Sequence, residues 1–179
     1  MPIKLVATCL TTQQQQACKN LNIEVMQKYA CTYGEITPGC TTDFSIHCFN
    51  SITLEVLKGL GVKRATLHPE LNLAQIRDIK KSIDTEVIIY GKLPLMKLGN
   101  PQAVGSITDR IGAVFHLCDD LLYNSVPIFM ADRLGEIEKS GVTHGRLIFT
   151  TENANQVTEV INAYKNHIKI QIKFTRGKF

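Results

Sequence analysis

The sequence lacks tryptophan, and it has no apolar run that approaches the roughly 20 residues a membrane-spanning helix needs. We therefore expect no membrane partner. The first residues lead straight into a strand-like segment, without the charged leader, apolar core and small-residue cleavage site of a secretory signal. Together these absences favour a cytoplasmic protein.

Several motifs that carry chemistry are also missing. The chain contains no Gly-x-x-x-x-Gly-Lys, no His-Glu-x-x-His and no Gly-x-Ser-x-Gly, which disfavours a conventional zinc or serine hydrolase. Its cysteines form no Cys-x-x-Cys pair, and their spacing fits no standard structural zinc pattern. We predict no metal site and expect reduced thiols. The six cysteines are Cys9, Cys18, Cys31, Cys40, Cys48 and Cys118.

The net charge of +4 comes from one end of the chain. Residues 164–179 contain five bases and no acid, whereas the rest is close to neutral. A basic tail can contact nucleic acid, so RNA is a candidate partner. The alternative, which we favour, is an edge strand protected by lysines. In it Ile168, Ile170 and Ile172 alternate with Lys169, Gln171 and Lys173.

Apolar runs of strand length alternate with helical patterns along most of the chain. This alternation is typical of parallel βαβ units and predicts an α/β fold. A complete (β/α)₈ barrel takes about 250 residues, so a chain of 179 residues predicts a partial TIM-like barrel. The predicted strands are Ile3–Thr8, Asn22–Met26, Phe44–Phe49, Arg64–Leu67, Glu86–Tyr90, Ala113–Leu117, Val126–Met130 and Arg146–Thr150.

The helices between these strands have recognisable beginnings or ends. We predict that Ser51 caps one helix, and that Thr11 or Thr12 begins another that ends near Leu21. Asp132 opens a helix that Gly141 ends. Two more are marked by apolar stripes: Leu73, Ile76 and Ile83, and then Val157, Val160, Ile161 and Tyr164.

One region breaks the alternation. Residues 91–125 contain Pro94, Gly99, Pro101, Gly105 and Gly112 and predict a long irregular connection, which is often a functional lid or binding loop. We interpret residues 1–179 as one domain, a fragment of a larger barrel protein. An incomplete barrel exposes two strand edges, so we expect either a homo-oligomer or a missing amino-terminal half as a partner.

Six short blocks in fixed order resemble one known family, the U32 peptidases or collagenase-like proteases. Together the blocks extend from Ile46 to Phe179. The family usually has serine where this chain has His68, and it continues differently after Thr-Arg-Gly. The blocks are His-Cys-Phe-Asn-Ser (47–51), Leu-His-Pro-Glu-Leu-Asn (67–72), Tyr-Gly-Lys-Leu-Pro-Leu-Met (90–96), Asp-Arg (109–110), Leu-Tyr-Asn-Ser (122–125) and Thr-Arg-Gly (175–177).

The resemblance implies the carboxyl-terminal part of a family member, because the family's amino-terminal signature is absent. It also implies a peptidase that hydrolyses peptide bonds in unfolded or collagen-like substrates. Two alternatives stay open. One is the branch of the family linked to hydroxylation of RNA bases, where an iron–sulfur cluster can be involved, although these cysteines do not reproduce the expected signature. The other is a non-catalytic domain that binds substrate. The cofactor is unknown.

Glu70 and His68 are the candidate catalytic residues. They follow a predicted strand directly, and in parallel α/β folds ligands bind at the carboxyl ends of the strands. Glu70 can act there as a general base or hold a metal, and His68 can share either task. Cys9 also ends a strand, but it has no visible histidine partner, so we favour a structural role.

Six further residues are candidates for substrate binding. Lys92 and Arg110 can bind a carboxylate or phosphate. Asp109 can instead form an ion pair with Arg110 that shapes the loop. The amide groups of Asn50 and Asn124 and the phenol group of Tyr90 can contact a ligand or line its pocket. The full set is Asn50, Tyr90, Lys92, Asp109, Arg110 and Asn124.

Overall fold

The computed structural model describes residues 2–99, 105–118 and 120–179. Its strands are β1 (Lys4–Cys9), β2 (Glu24–Val25), β3 (Thr41–Thr42), β4 (Arg64–Thr66), β5 (Asp84–Gly91), β6 (Pro94–Lys97), β7 (Gly105–Thr108), β8 (Val114–Cys118), β9 (Leu121–Tyr123), β10 (Ile128–Phe129) and β11 (His144–Phe149). Its α-helices are α1 (Thr12–Asn20), α2 (Ser51–Gly59), α3 (Leu73–Asp78), α4 (Leu134–Lys139) and α5 (Ala154–Asn166).

Six strands form a parallel sheet in the order β2-β1-β11-β5-β4-β3. Helices alternate with these strands, and the sheet curls. The predicted α/β fold with an incomplete (β/α) barrel is therefore confirmed. Near-continuous burial along β5 and β11 fits strands that are covered on both faces. Among the described residues, no helix is long and apolar enough to cross a membrane.

The two edges of this sheet are joined by the chain itself. Val25 of β2 pairs with Ala7 of β1, and the chain then crosses to the far edge, where Ala30 forms a parallel bridge with Thr42 of β3. The Ala30 N–H donates to Thr41 O at 2.9 Å. Residues 24–30 thus contact both edges of the sheet, and a second copy or a missing amino-terminal half stays a predicted partner.

The prediction of an irregular connection over residues 91–125 was wrong for the described part. A four-stranded antiparallel sheet forms there in the order β6-β9-β8-β7. Pro94 begins an outer strand, where a missing N–H is tolerated, and Gly112 lies in the β7–β8 turn with φ of 84°. Residues 100–104, which include Pro101, lie outside the described residues.

Three predicted strands were also wrong in whole or in part. Phe44–Ile46 is a 3₁₀ turn that Asp43 caps, and His47 follows in the left-handed region with φ of 56°, so no strand runs to Phe49. The predicted edge strand at residues 168–173 does not form, and Thr175 makes a single bridge with Ile128. At residues 22–26 only β2 is extended, because Asn22 has φ of 56°.

Other predicted elements form with shifted ends or a different direction. Asn50, not Ser51, caps α2 by accepting from the Thr53 N–H at 2.9 Å. The helix α3 ends at Asp78, so Ile83 lies outside it, and α4 follows a 3₁₀ turn at Ala131–Arg133. The strand β10 runs antiparallel to β5 instead of parallel.

Gly91 marks a close approach between β5 and β11. It has φ of 124°, and a Cβ there would lie 2.7 Å from Ile148 Cβ and closer still to Ile148 O. We expect Gly91→Ala to lower the free energy of unfolding by about 3 kcal/mol, since backbone strain and overpacking each cost about 1–3 kcal/mol. Urea denaturation of the two proteins measures the difference.

The matched control is Gly135→Ala on α4. A Cβ at Gly135 meets no atom within 4 Å, so we expect a gain of about 0.5–1 kcal/mol from the better helix propensity of alanine. Equal unfolding midpoints for Gly91→Ala and wild type would contradict the close approach.

Candidate functional site

A cluster of charged side chains fills the inside of the curled sheet. Arg146 on β11 is 6% exposed and contacts Asp43, with Nη1 to Oδ1 at 2.6 Å, and its Nε donates to Thr8 Oγ1 at 3.0 Å. Its guanidinium carbon lies 3.8 Å from the centre of the Tyr29 ring. The inner charge cluster consists of Tyr29, Asp43, Arg64, Glu86 and Arg146.

Glu86 on β5 is the acid at the centre of this cluster. It is fully buried and accepts hydrogen bonds from Thr66 Oγ1 at 3.0 Å and Tyr29 Oη at 3.3 Å. Burial raises the pKa of the Glu86 carboxyl and outweighs the opposing charges of Arg146 and Arg64. Each charged member forms an ion pair with another member, so the cluster is a buried polar core between the strands.

The predicted catalytic residues lie after β4, on the carboxyl edge of the sheet. The rings of His68 and Phe49 stack with centroids 4.3 Å apart, and the His47 ring lies 5.2 Å from that of His68. Glu70 is exposed in a turn before α3, which Asn72 caps. The structure therefore brings His68 to the predicted edge beside a second histidine that the strand prediction had placed differently.

A backbone contact sets the form of the His68 imidazole. The Glu70 N–H donates to His68 Nδ1 at 3.3 Å, so the neutral ring carries its proton on Nε2. Burial lowers the pKa of His68, and the charge of Glu70 opposes this shift. At neutral pH the ring is therefore a hydrogen-bond donor through Nε2–H, suited to bind a carbonyl oxygen.

A second group lies where β5 and β11 end side by side. Lys92 follows β5, and its Nζ donates to Thr151 Oγ1 at 3.3 Å. Tyr90 Oη donates to Glu152 Oε1 at 3.0 Å, and the other oxygen of that carboxylate accepts from the Thr150 N–H at 2.7 Å. Lys92 is 8% exposed, whereas Thr151 is exposed to solvent.

The environment of this group works against the charge on the Lys92 amine. Burial lowers the pKa of Lys92, and the nearby Glu152 carboxylate opposes the shift. We call Tyr90, Lys92, Thr151 and Glu152 the edge cluster.

A cavity of about 210 Å³ opens beside the edge cluster. Tyr90, Lys92, Thr151 and Glu152 line one side, and α5 with the carboxyl-terminal segment lines the other. Apolar side chains such as Val160 and Ile172 form part of its wall. A buried amine, an exposed hydroxyl and an apolar wall are together able to hold and attack an acyl group.

The remaining predicted binding residues lie elsewhere. Asn50 caps α2, and the Asn124 N–H donates to Leu93 O at 2.9 Å. Asp109 shapes the β7–β8 turn by accepting from the Ile111 and Ala113 N–H groups, both at 2.9 Å, and not through an ion pair with Arg110. Arg110 is exposed, and their roles in substrate binding stay predictions.

Sequence reasoning missed Thr151, Glu152 and the inner charge cluster. The sequence did contain a signal for the inner charge cluster, since three predicted strands begin with a charged residue: Arg64, Glu86 and Arg146. A charged residue at the same place in several buried strands predicts mutual pairing inside a barrel. Thr151 has no such signal, because its closeness to Lys92 depends on the pairing of β5 with β11.

Comparisons with known proteins show the family of this chain. A comparison with curated proteins and one with solved structures returned no match. A family model described as Peptidase family U32 matches residues 35–176, which include both groups on the carboxyl edge. Since that match covers well over half of the chain and agrees with the six ordered blocks, the protein belongs to peptidase family U32.

Proposed function

We propose that this chain hydrolyses peptide bonds in unfolded or collagen-like polypeptides, with the edge cluster as its reaction centre. The observation that carries the proposal is the contact of 3.3 Å between the buried Lys92 Nζ and the exposed Thr151 Oγ1, beside a cavity at the carboxyl edge. A nucleophile and a base within hydrogen-bond reach are the signature of covalent acyl transfer. Membership of a peptidase family supports the same class of reaction.

The chemistry follows from these two groups. The neutral amine of Lys92 takes the proton of Thr151 Oγ1, which attacks the substrate carbonyl carbon and forms a tetrahedral intermediate. The C–N bond then breaks, the leaving amine receives the proton from Lys92, and an ester of Thr151 remains. Water activated by the same amine hydrolyses the ester. The Tyr90–Glu152 bond holds the Thr151 loop in place.

The catalytic role predicted for Glu70 and His68 stays a second prediction on the same edge. The exposed Glu70 carboxylate is open to a water molecule, and His68 offers Nε2–H to a carbonyl oxygen. This arrangement supports attack by water without a covalent intermediate. The two predictions name different bases, so they can be separated.

The test is cleavage of quenched fluorescent gelatin by the purified wild type beside Glu70→Gln. We expect the wild type to cleave, and to do so in EDTA, since a threonine–lysine pair uses no metal. If Glu70 is the base, its replacement lowers the rate by about a hundredfold or more, as the loss of a general base does. A rate within about twofold of wild type would contradict that role and leave Lys92 as the base, provided that Thr151→Ala no longer cleaves and so excludes a contaminating protease.

The variants control for a contaminating protease, because such a contaminant would cleave gelatin at the same rate in every preparation. Absence of cleavage by the wild type would overturn the proposal and favour the binding or RNA-modification alternatives. A brown preparation under anaerobic conditions would point to the latter, through an iron–sulfur cluster. The single domain over residues 1–179 and the cytoplasmic location stay predictions.

A further inference from the structure

Two cysteines lie close together at the end of the central strand β1. Cys9 Sγ and Cys18 Sγ are 3.6 Å apart, although nine positions separate them in the chain. Cys9 is the last residue of β1 and is half-buried, whereas Cys18 on α1 is fully buried. Cys9 and Cys18 are both free thiols.

The two thiols polarise each other. The hydrogen bond from the Cys9 thiol lowers the pKa of Cys18, and that same bond, together with burial, raises the pKa of Cys9. One thiol therefore supports the thiolate of the other, which is the arrangement that thiol oxidation needs.

The helix α1, which carries Cys18, also forms hydrogen bonds to the backbone beside Thr151. Gln14 on α1 is 1% exposed, and its Nε2 donates to Thr150 O at 3.2 Å and to Glu152 O at 2.8 Å. Those two carbonyls flank Thr151 on either side.

We propose that Cys9 and Cys18 form a reversible dithiol–disulfide site that controls the Thr151 loop. A hydroperoxide is the oxidant: one thiol becomes a sulfenic acid with release of water, and the other attacks its sulfur and expels a second water. Two thiols and one hydrogen peroxide thus give one disulfide and two waters. A dithiol reductant reverses the reaction by exchange.

Formation of the bond moves α1. A disulfide has an S–S distance of about 2.04 Å, so the sulfur atoms approach by about 1.5 Å. The strand β1 is hydrogen-bonded to β2 and β11 on its two sides, whereas α1 contacts α5 and is bonded to the Thr151 loop through Gln14. The helix therefore shifts, and Gln14 shifts away from the two carbonyls that it binds. This regulatory consequence rests on the proposed function, but the disulfide itself does not.

The first experiment treats the folded protein with hydrogen peroxide and then traps the remaining thiols under denaturing conditions, where the buried Cys18 can be alkylated. Alkylation, digestion and mass spectrometry should recover a peptide pair linked through Cys9 and Cys18, lighter by two hydrogen atoms and split by dithiothreitol. Cys31→Ser, which removes an exposed thiol, should still form the link, and Cys9→Ser should not. Full alkylation of both cysteines after peroxide would overturn the proposal.

The second experiment follows the loop without an activity assay. In hydrogen–deuterium exchange, oxidation should speed exchange at the Thr150 amide by about tenfold, equivalent to the loss of one net hydrogen bond. Cys9→Ser should show no change with peroxide. Unchanged exchange in a disulfide-linked protein would contradict the control of the loop. If gelatin is not cleaved at all, both readouts still decide whether the dithiol site exists.

Discussion

Replacement of Thr151 by alanine should lower gelatin hydrolysis by about a thousandfold or more, because the proposed nucleophile is lost and only substrate binding remains. The change removes one hydroxyl and one methyl from an exposed residue, so the fold should be unaffected. Initial rates on quenched gelatin, compared at equal concentrations of folded protein, measure the effect.

Thr151→Ser is the conservative partner of this variant. It keeps the hydroxyl beside Lys92 and should retain much of the activity. Thr158→Ala on α5 is the matched control, because its hydroxyl bonds only to Ala154 O of its own helix. A wild-type rate in Thr151→Ala would rule out the covalent route and leave the Glu70 prediction.

The pH dependence supplies an independent check on Lys92. Only the neutral amine can take the proton of Thr151, so activity should rise with pH and level off above the pKa of Lys92. Burial places that pKa below the usual value of 10.5. Lys92→Met should abolish both the activity and the rising limb, whereas a flat profile for the wild type would contradict the role of the amine.

Arg146→Leu should lower the free energy of unfolding by about 3–5 kcal/mol, the cost of leaving buried charges without their partner. The change removes the ion pair with Asp43 at 2.6 Å, the bond to Thr8 and the stacking over Tyr29. It also leaves Glu86 with Arg64 as its paired cation. Urea denaturation at neutral pH measures the loss.

The matched control is Arg77→Leu on α3. Arg77 pairs with Asp78, but both side chains are more than 60% exposed, so the change should cost less than about 0.5 kcal/mol. Combining Arg146→Leu with Asp43→Asn should recover part of the loss, because it removes an orphaned carboxylate. A cost for Arg146→Leu no larger than that for Arg77→Leu would mean that the inner charge cluster does not stabilise the fold.

Much of the parallel sheet could be predicted because its strands are buried on both faces. The segments that contain β5 and β11 each include an unbroken run of apolar residues. These runs are short, and their length favours a strand over a helix. The antiparallel sheet could not be predicted in the same way. Its strand β7 is exposed at every position, so Gly105 and the glycines and prolines nearby were the only visible pattern and indicated a loop.

The candidate site was predictable only where its residues follow a strand in sequence. Glu70 and His68 could be proposed from such a position, and so could Lys92. Asp43 and Thr151 could not be related to Arg146 and Lys92, because their contacts join distant parts of the chain. The strand predicted at Asn22–Met26 did not show that the chain crosses to the other edge of the sheet, because the segment pairs with β1 at Glu24 and Val25 and then with β3 at Ala30.

The pairing of β1 with β11 has a consequence for folding during synthesis. Lys4 pairs with His144, so β1 meets β11 only after the chain between them has been made. At about 5–20 residues per second, this takes roughly ten seconds or more. During that time the apolar run of β1 has no partner on that side. We expect the nascent chain to depend on chaperones and to reach its native fold late, because contacts between residues this distant in sequence form slowly.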